Sequence, residues 1–443
     1  MTSPEARTAA RQAAEHAARA SYGRLVALLA ASTGDLSLAE DALSAAFEQA
    51  LVSWPTGGVP ANPEGWLLAV ARNRQRDTWK SASSRTTRPL EDAALGGGPA
   101  MAALDDLDLD AIGDKRLELL FTCAHPAIDA SIRTPLMLQV VLGFDAARIA
   151  AAFAVPATAM AQRLVRAKKR IKAARIPFSV PGRSDMPGRL PAVLEAIYGC
   201  YALSFADAPD VPGGSDAEDL AGEALYLAVT LAALLRTEPE AWGLAALITL
   251  SQARAPARGG PFIPLEEQDT SLWDARLIAE GEAHLRRAAA GGAAGRFQME
   301  AAIQAVHCDR ARTGRTDWPA LRTLYTALEA VAPSLGARVA LAAVIGSTES
   351  PAAGLSALDA LRDLREGEGP AGASAVESFQ PYLATRAELL ARDGRPSEAA
   401  AAFAAAAEAA PQPVVREYLW QRAAGQWPNS QGRDNGPAPL PLR

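Results

Sequence analysis

An all-α, multidomain fold is predicted by three features of the 443-residue sequence. Alanine-rich stretches hold few β-branched runs, apolar residues recur at three- and four-residue spacing, and Gly/Pro clusters interrupt the pattern at helix-length intervals. At 49% hydrophobic and 21% charged residues, the composition is globular and excludes wholesale disorder. The length implies about three domains. Cys123, Cys200 and Cys308 are too few and too scattered for a disulfide framework or a four-ligand zinc site, which implies a reducing compartment. No apolar run suffices for a membrane span, since Thr230 and Arg236 bound the most apolar helix, near 225–235. Glu5, Arg7, Arg11, Glu15 and Arg19 give the N-terminus no signal-peptide core, so a cytoplasmic protein is expected.

The elements follow in order. A first helix runs from about Pro4 to Ala31. Asp35 and Ser37 offer caps for a second, reaching about Trp54, with Leu43, Phe47, Ala50, Leu51 and Trp54 as its apolar stripe. Three prolines and two glycines make 55–63 a loop. A third helix covers Glu64 to about Ser84, and a Gly-rich linker follows. Helices resume from Ile112 to about Ala174, broken near Gly143 and Pro156. From Leu190 to about Gly425 the pattern is helical hairpins, and the tail beyond Trp427 reads as disordered. The expected domains are 1–88, a linker over 89–111, 112–182, an extension over 190–426, and the tail 427–443.

Charge is uneven along this order. Net charge is -6, yet residues 1–185 hold 22 basic and 19 acidic side chains, against 22 and 31 in the remainder. Six basic residues and Asp77 fall between Arg72 and Arg88, and nine basic residues with no acid lie between Asp145 and Asp185. Eight acids between Glu91 and Glu118 separate the two patches. Two basic patches on one string suggest two polyanion-binding modules, the simpler alternative being two solvated helix faces.

The stretch Ala39-Glu-Asp-Ala-Leu-Ser-Ala-Ala-Phe47, the Pro/Gly loop, and Gly65-Trp-Leu-Leu-Ala-Val-Ala-Arg-Asn-Arg-Gln-Arg-Asp77 together resemble the second region of bacterial extracytoplasmic-function (ECF) sigma factors. The resemblance implies a helical bundle in which Glu40, Asp41, Ser44, Phe47 and Glu48 bind core RNA polymerase. The next loop and helix would then hold the melted −10 promoter element. Asn73 would read an unstacked base, with Asn62 in the pocket loop and Arg72, Arg74, Arg76 and Lys80 on phosphates. Asp41, Ser44 and Glu48 lie off the apolar stripe, to meet a basic partner or solvent, and Trp66 fits the core under the third helix. Ser44 stands where the family usually has Gln, and Trp79-Lys-Ser-Ala-Ser-Ser84 replaces a denser Arg run.

The second module reads as helix-turn-helix: a support helix to Phe153, a turn at Ala-Val-Pro156, and a recognition helix over 157–174. At 100° per residue, Met160, Leu164, Ala167 and Ile171 share one face, opposite Gln162, Arg163, Arg166, Lys169 and Arg170. Thr158, Gln162 and Arg163 would reach bases, and Arg166, Lys169 and Arg170 would follow the backbone. Asp114-Lys-Arg-Leu-Glu-Leu-Leu-Phe-Thr-Cys-Ala-His-Pro126 precedes it, and Met160-Ala-Gln-Arg-Leu-Val-Arg-Ala-Lys-Lys-Arg-Ile-Lys-Ala-Ala-Arg-Ile-Pro-Phe178 extends it. Together they resemble the fourth, −35-binding region of the sigma-factor subgroup with a long C-terminal extension. Arg148 stands where that subgroup commonly has an acid. Cys123 and His125 alone do not make a metal site.

The resemblance continues through Leu265-Glu-Glu-Gln-Asp-Thr-Ser-Leu-Trp-Asp-Ala-Arg-Leu-Ile-Ala-Glu-Gly281, Phe297-Gln-Met-Glu-Ala-Ala-Ile-Gln-Ala-Val-His307 and Thr316-Asp-Trp318. Leu390, Gly394, Ala399, Phe403, Ala406 and Pro411 fit one tetratricopeptide-type hairpin. Glu266, Glu267, Asp269, Trp273, Asp274 and Glu280 form a carboxylate-rich cluster with no nucleophile motif or phosphate loop beside it, and His284 and His307 stand alone. The sequence therefore predicts a non-enzymatic sigma factor with no cofactor and no metal. Its expected partners are core RNA polymerase and promoter DNA, duplex at −35 and melted at −10, with no membrane. Its acidic extension is expected to contact the sigma modules or the polymerase and tune activity in cis. The rival readings are a one-component helix-turn-helix regulator acting without polymerase, and a tetratricopeptide-type interaction scaffold.

Overall fold

The first helix, α1 (Pro4–Thr33), begins where the Ser3 hydroxyl accepts the Ala6 amide, and it ends at Gly34, whose φ of 69° closes the αL cap. Asp35 then caps α2 (Leu36–Gly57) by accepting the Leu38 amide at 3.2 Å. Pro63 starts α3 (Pro63–Ser84), where a missing N–H costs nothing. The computed structural model describes residues 3–84, 115–206, 215–258, 260–366 and 376–425. The expected linker at 89–111 and tail at 427–443 lie outside these residues, as does the Lys80 side chain. Among the described residues there are 19 α-helices, a few 3-10 turns and no strand.

The chain divides into two compact units, 1–203 and 204–443. In the first, α1, α2 and α3 pack on Leu25, Leu29, Leu36, Leu43, Leu67 and Leu68, all fully buried. The helices α4 (Arg116–Cys123), α5 (Ala130–Val140), α6 (Ala146–Ala152) and α7 (Ala157–Ala173) follow, then α8 (Leu190–Ala206), whose last turn holds the unit boundary. Val193, Leu194 and Ile197 of α8 are buried.

Two details depart from expectation. Helix α2 runs through Pro55 to Gly57, because losing one amide near the C-terminus still lets Gly58 N–H reach the Trp54 carbonyl at 3.0 Å. The loop shrinks to 58–62. The buried residues of α2 are Leu36, Ala39, Ala42, Leu43, Ala46, Ala50 and Trp54. Leu51 lies about 80° round the helix from Leu43 and is half exposed.

The second unit stacks α9 (Ser215–Leu235), α10 (Pro239–Gln252), α11 (Ala275–Ala289), α12 (Arg296–Cys308), the single turn α13 (Arg310–Thr313), α14 (Trp318–Val331), α15 (Leu335–Thr348), α16 (Pro351–Glu366), α17 (Gln380–Arg392), α18 (Pro396–Ala409) and α19 (Pro413–Ala423). Every residue of α10 from Ala241 to Ser251 is buried, making it the central helix under α9, α11 and α12. Glu240 extends its carboxylate to the first turn of α12, accepting the Phe297 and Gln298 amides at 2.9 and 3.1 Å. A remote carboxylate thus does the capping that Gly295 lacks a side chain to do. Further on, α17 and α18 form the expected hairpin: Gly394 turns at φ 77°, and Ala399, Phe403 and Ala406 are buried between the helices.

Candidate nucleic-acid interface

Helix α7 carries the sharpest division of faces in the first unit. Met160, Leu164, Ala167 and Ile171 are buried. Thr158, Gln162, Arg166, Lys169 and Arg170 are exposed. The turn before it is tight: Ala154 has φ 51°, and the Val155 amide reaches back to the Ala150 carbonyl.

Four cations of α7 also have partners within the unit. Arg163 Nη2 donates to Ser131 Oγ at 2.6 Å, and Arg170 Nε donates to the Ala127 carbonyl at 3.3 Å. Lys168 Nζ lies 2.7 Å from Glu40, and Lys172 Nζ lies 2.6 Å from Asp35. Of the three expected base readers, Thr158 and Gln162 project to solvent, while Arg163 leans on α5.

On α3, Asn73, Arg74 and Arg76 are exposed and Arg72 is half-buried. The buried Gln75 amide donates to the Leu29 carbonyl, fixing which face turns outward. Asn62 serves as the N-terminal cap of α3, its Oδ1 accepting the Gly65 amide at 2.8 Å. Trp66 meets Trp54 edge-on, ring centroids 5.5 Å apart, so it belongs to the bundle.

Asp41, Ser44 and Glu48 are exposed on α2 at helical spacing, with Phe47 half-buried beside them. Leu51, 50% exposed, and Val52, 72% exposed, extend this stripe toward the loop. Leu51, expected in the apolar stripe, lies at its margin by the 100° rule and faces outward. Glu40, by contrast, is half-buried against Lys168. Burial pushes the Tyr22 phenol up, as does the Glu40 carboxylate beside it.

The other candidates are absorbed by the fold. Cys123 is fully buried, burial pushing its thiol up, and His125 Nδ1 accepts the Ala127 amide in the turn after α4. Among the described residues, no group of three or more His, Cys, Asp or Glu is placed to hold a metal ion. The acidic cluster of the second unit disperses: Asp269 and Asp274 cap a 3-10 turn and α11, and Glu280 faces Arg276 at 3.4 Å. Burial pushes Glu266 up to about 8 and the fully buried His307 down to about 3. A cleft lined by Phe262, Thr385, Glu388, Phe403 and Tyr418 already holds a cation of the chain. Arg422 donates there to Glu388 and to the Tyr418 hydroxyl, with its guanidinium 4.9 Å from the Phe403 ring.

Comparison with known proteins adds lineage. The chain is 36% identical over 373 residues to the "Uncharacterized protein R00370" of Rhizobium meliloti, a match spanning 83% of this chain and 85% of that protein. The chain belongs to that protein's family. Within this family member, residues 189–289, from the start of α8 to the end of α11, match a domain family of unknown function, DUF6596. The family member is also 32% identical over 164 residues to the "Probable ECF RNA polymerase sigma factor SigI" of Mycobacterium tuberculosis. That match takes in 37% of this chain and 55% of the sigma factor. No solved structure matches the chain. Among the described residues, no helix is long and apolar enough to cross a membrane.

Proposed function

We propose that this chain is an alternative sigma factor of the ECF type that binds core RNA polymerase, recognises −10 and −35 promoter elements and starts transcription. The partial similarity to a named ECF sigma factor suggests a sigma-like transcription role. The observation that carries the reading is a pair of exposed faces of opposite character in the first unit. The acidic-to-apolar stripe Asp41–Ser44–Glu48–Leu51–Val52 suits a basic, partly apolar protein surface. The basic, amide-bearing face Thr158–Gln162–Arg166–Lys169 suits a DNA groove.

In this reading the polymerase performs all bond making, and the chain supplies differential binding energy. Phe47 backs the docking stripe. Asn73 takes a base from the melted strand, while Arg72, Arg74, Arg76 and Lys80 neutralise phosphates and Asn62 holds the loop that frames the base. Arg163 and Arg170 brace α7, and Arg166 and Lys169 follow the duplex backbone. The acidic second unit adjusts this activity in cis.

Titration of labelled core polymerase tests the docking stripe. Asp41→Arg combined with Glu48→Arg is expected to weaken binding at least tenfold while leaving duplex affinity unchanged. Unchanged polymerase affinity refutes the docking assignment. Tight, sequence-selective duplex binding with no association with polymerase identifies a one-component regulator instead.

A further inference from the structure

Between α10 and α11 the chain makes a long excursion that ends where it began. The Asp274 amide donates to the Ala253 carbonyl at 2.8 Å, so residues 254–273 leave and return at one point, in the manner of an Ω-loop. The base of this loop is fixed in the second unit: Ala257 and Trp273 are buried, and the Arg310 guanidinium lies 5.0 Å from the Trp273 ring. The tip, 261–268, is held differently. Gln268 Nε2 closes it on the Ile263 carbonyl at 3.3 Å, and Arg310 Nη2 donates to the Gln268 carbonyl at 2.8 Å.

This tip sits in the cleft of the C-terminal helices as a bound peptide would. Phe262 and Pro264 line the cleft together with Ala384 and Leu389 of α17, Phe403 of α18 and Leu419 of α19. Phe262 also meets Tyr418, ring centroids 5.1 Å apart. The backbone is irregular through Pro264 and then makes a single 3-10 turn at Leu265–Glu267. That turn brings two carboxyls to the arginines around the cleft. Burial raises both, opposed by Arg310 and Arg392 at Glu266 and by Arg422 at Glu267. An aromatic residue and a proline, followed by two carboxyls, are thus matched to an apolar cleft edged with cations.

The match is incomplete in one respect. Among the described residues, Glu266 Oε1 and Arg392 Nη1 are each buried without a hydrogen-bond partner, although the two side chains attract one another. Leaving both unsatisfied costs the docked tip free energy. The cleft wall carries no such debt to the tip. Arg422 donates to Glu388 at 2.7 Å and to the Tyr418 hydroxyl at 2.8 Å, so these charges are paired between α17 and α19 whether or not the tip is docked.

We propose that this cleft is a docking site for a partner protein segment of the same chemistry, an aromatic residue and a proline followed by paired carboxylates, and that the 261–268 tip is a resident occupant which such a segment displaces. A segment free of the loop base can bring a carboxylate onto Arg392, which the tethered Glu266 does not do. The inference concerns the second unit alone and goes beyond the sigma-factor reading, on which it does not depend.

The probe is a dye-labelled peptide, Pro-Phe-Ile-Pro-Leu-Glu-Glu-Gln, titrated into the full chain and followed by anisotropy. Phe262→Ala with Pro264→Ala withdraws the two anchoring side chains, and Glu266→Arg drives the tip off by placing a further cation beside Arg310 and Arg392. Either variant should bind the probe at least tenfold more tightly than the parent, where the tethered tip competes at high effective concentration. Adding Arg392→Ala should remove most of that gain. In the parent, excess probe should speed hydrogen exchange of the amides over 262–268, a measurement that decides the matter if neither variant folds. The proposal is overturned if neither folded variant binds the probe, if parent and variants bind it equally, or if the gain survives Arg392→Ala. Exchange in the parent that stays unchanged under excess probe overturns it as well.

Discussion

The Arg163 guanidinium donates to the Ser131 hydroxyl at 2.6 Å, tying the recognition helix α7 to α5. It also lies 3.4 Å from the Ser131 carbonyl. Ser131 itself sits on the Asp129 cap, whose carboxyl is held below the usual range by the Ser131 hydroxyl and amide. Arg163 thus sets the pitch of α7 against α5. Arg163→Ala is expected to weaken binding to all duplexes by a similar factor, and Ser131→Ala to reproduce part of that loss. Competition titrations across single-base variants of a bound duplex check this. A loss confined to one base position assigns Arg163 to direct readout instead.

Gln162 and Lys169 should separate cleanly. Gln162→Ala should cost about 1–3 kcal/mol at one base position and leave others unchanged. Lys169→Ala should weaken every sequence alike and reduce the slope of log affinity against log salt by about 0.9. Salt titrations of both variants provide the measurement.

Glu240 is expected to hold the second unit together from its centre. Glu240→Ala strips the acceptor from the Phe297 and Gln298 amides at the start of α12, a loss of about 1–2 kcal/mol. Glu240→Gln should recover part of it. Denaturant unfolding followed by tryptophan emission, with Trp242 and Trp273 in that unit, checks both.

Two buried groups give that unit opposing pH dependences. His307 is folded with its pKa lowered from 6.5 to about 3, burial being the main cause and Arg254 and Arg310 adding to it. Its contribution is present above about pH 6.5 and is lost as pH falls toward 3. Glu266 is raised from 4.5 to about 8, again chiefly by burial, against the attraction of Arg310. Its contribution is complete below about pH 4.5 and is lost as pH rises through 8. Glu266→Gln should therefore flatten the alkaline limb of the stability profile and leave the acid limb in place. Urea midpoints between pH 5 and 9 test this, and an unchanged alkaline limb contradicts it.

Much of the fold was legible because it is written in local periodicity. The partition of α7 followed from 100° steps alone, as did the α17–α18 hairpin from Gly394, Ala399, Phe403 and Ala406. What escaped was either marginal in angle or distant in sequence. Leu51 sits at the edge of the α2 stripe, where a rule that counts apolar neighbours draws it inward. Pro55 suggested a stop, yet at a helix end only one hydrogen bond was at stake. Glu240, Arg163 and Glu40 each take partners from other helices, and no spacing rule connects positions 57, 32 or 128 residues apart.

Run-off transcription from purified components tests the account most directly. Core RNA polymerase, this full chain and a genomic fragment library are combined, and 5′ ends of the transcripts are mapped. The account predicts discrete start sites that require the chain and are abolished by Asp41→Arg with Glu48→Arg. Transcripts whose start sites are the same with and without the chain would contradict it.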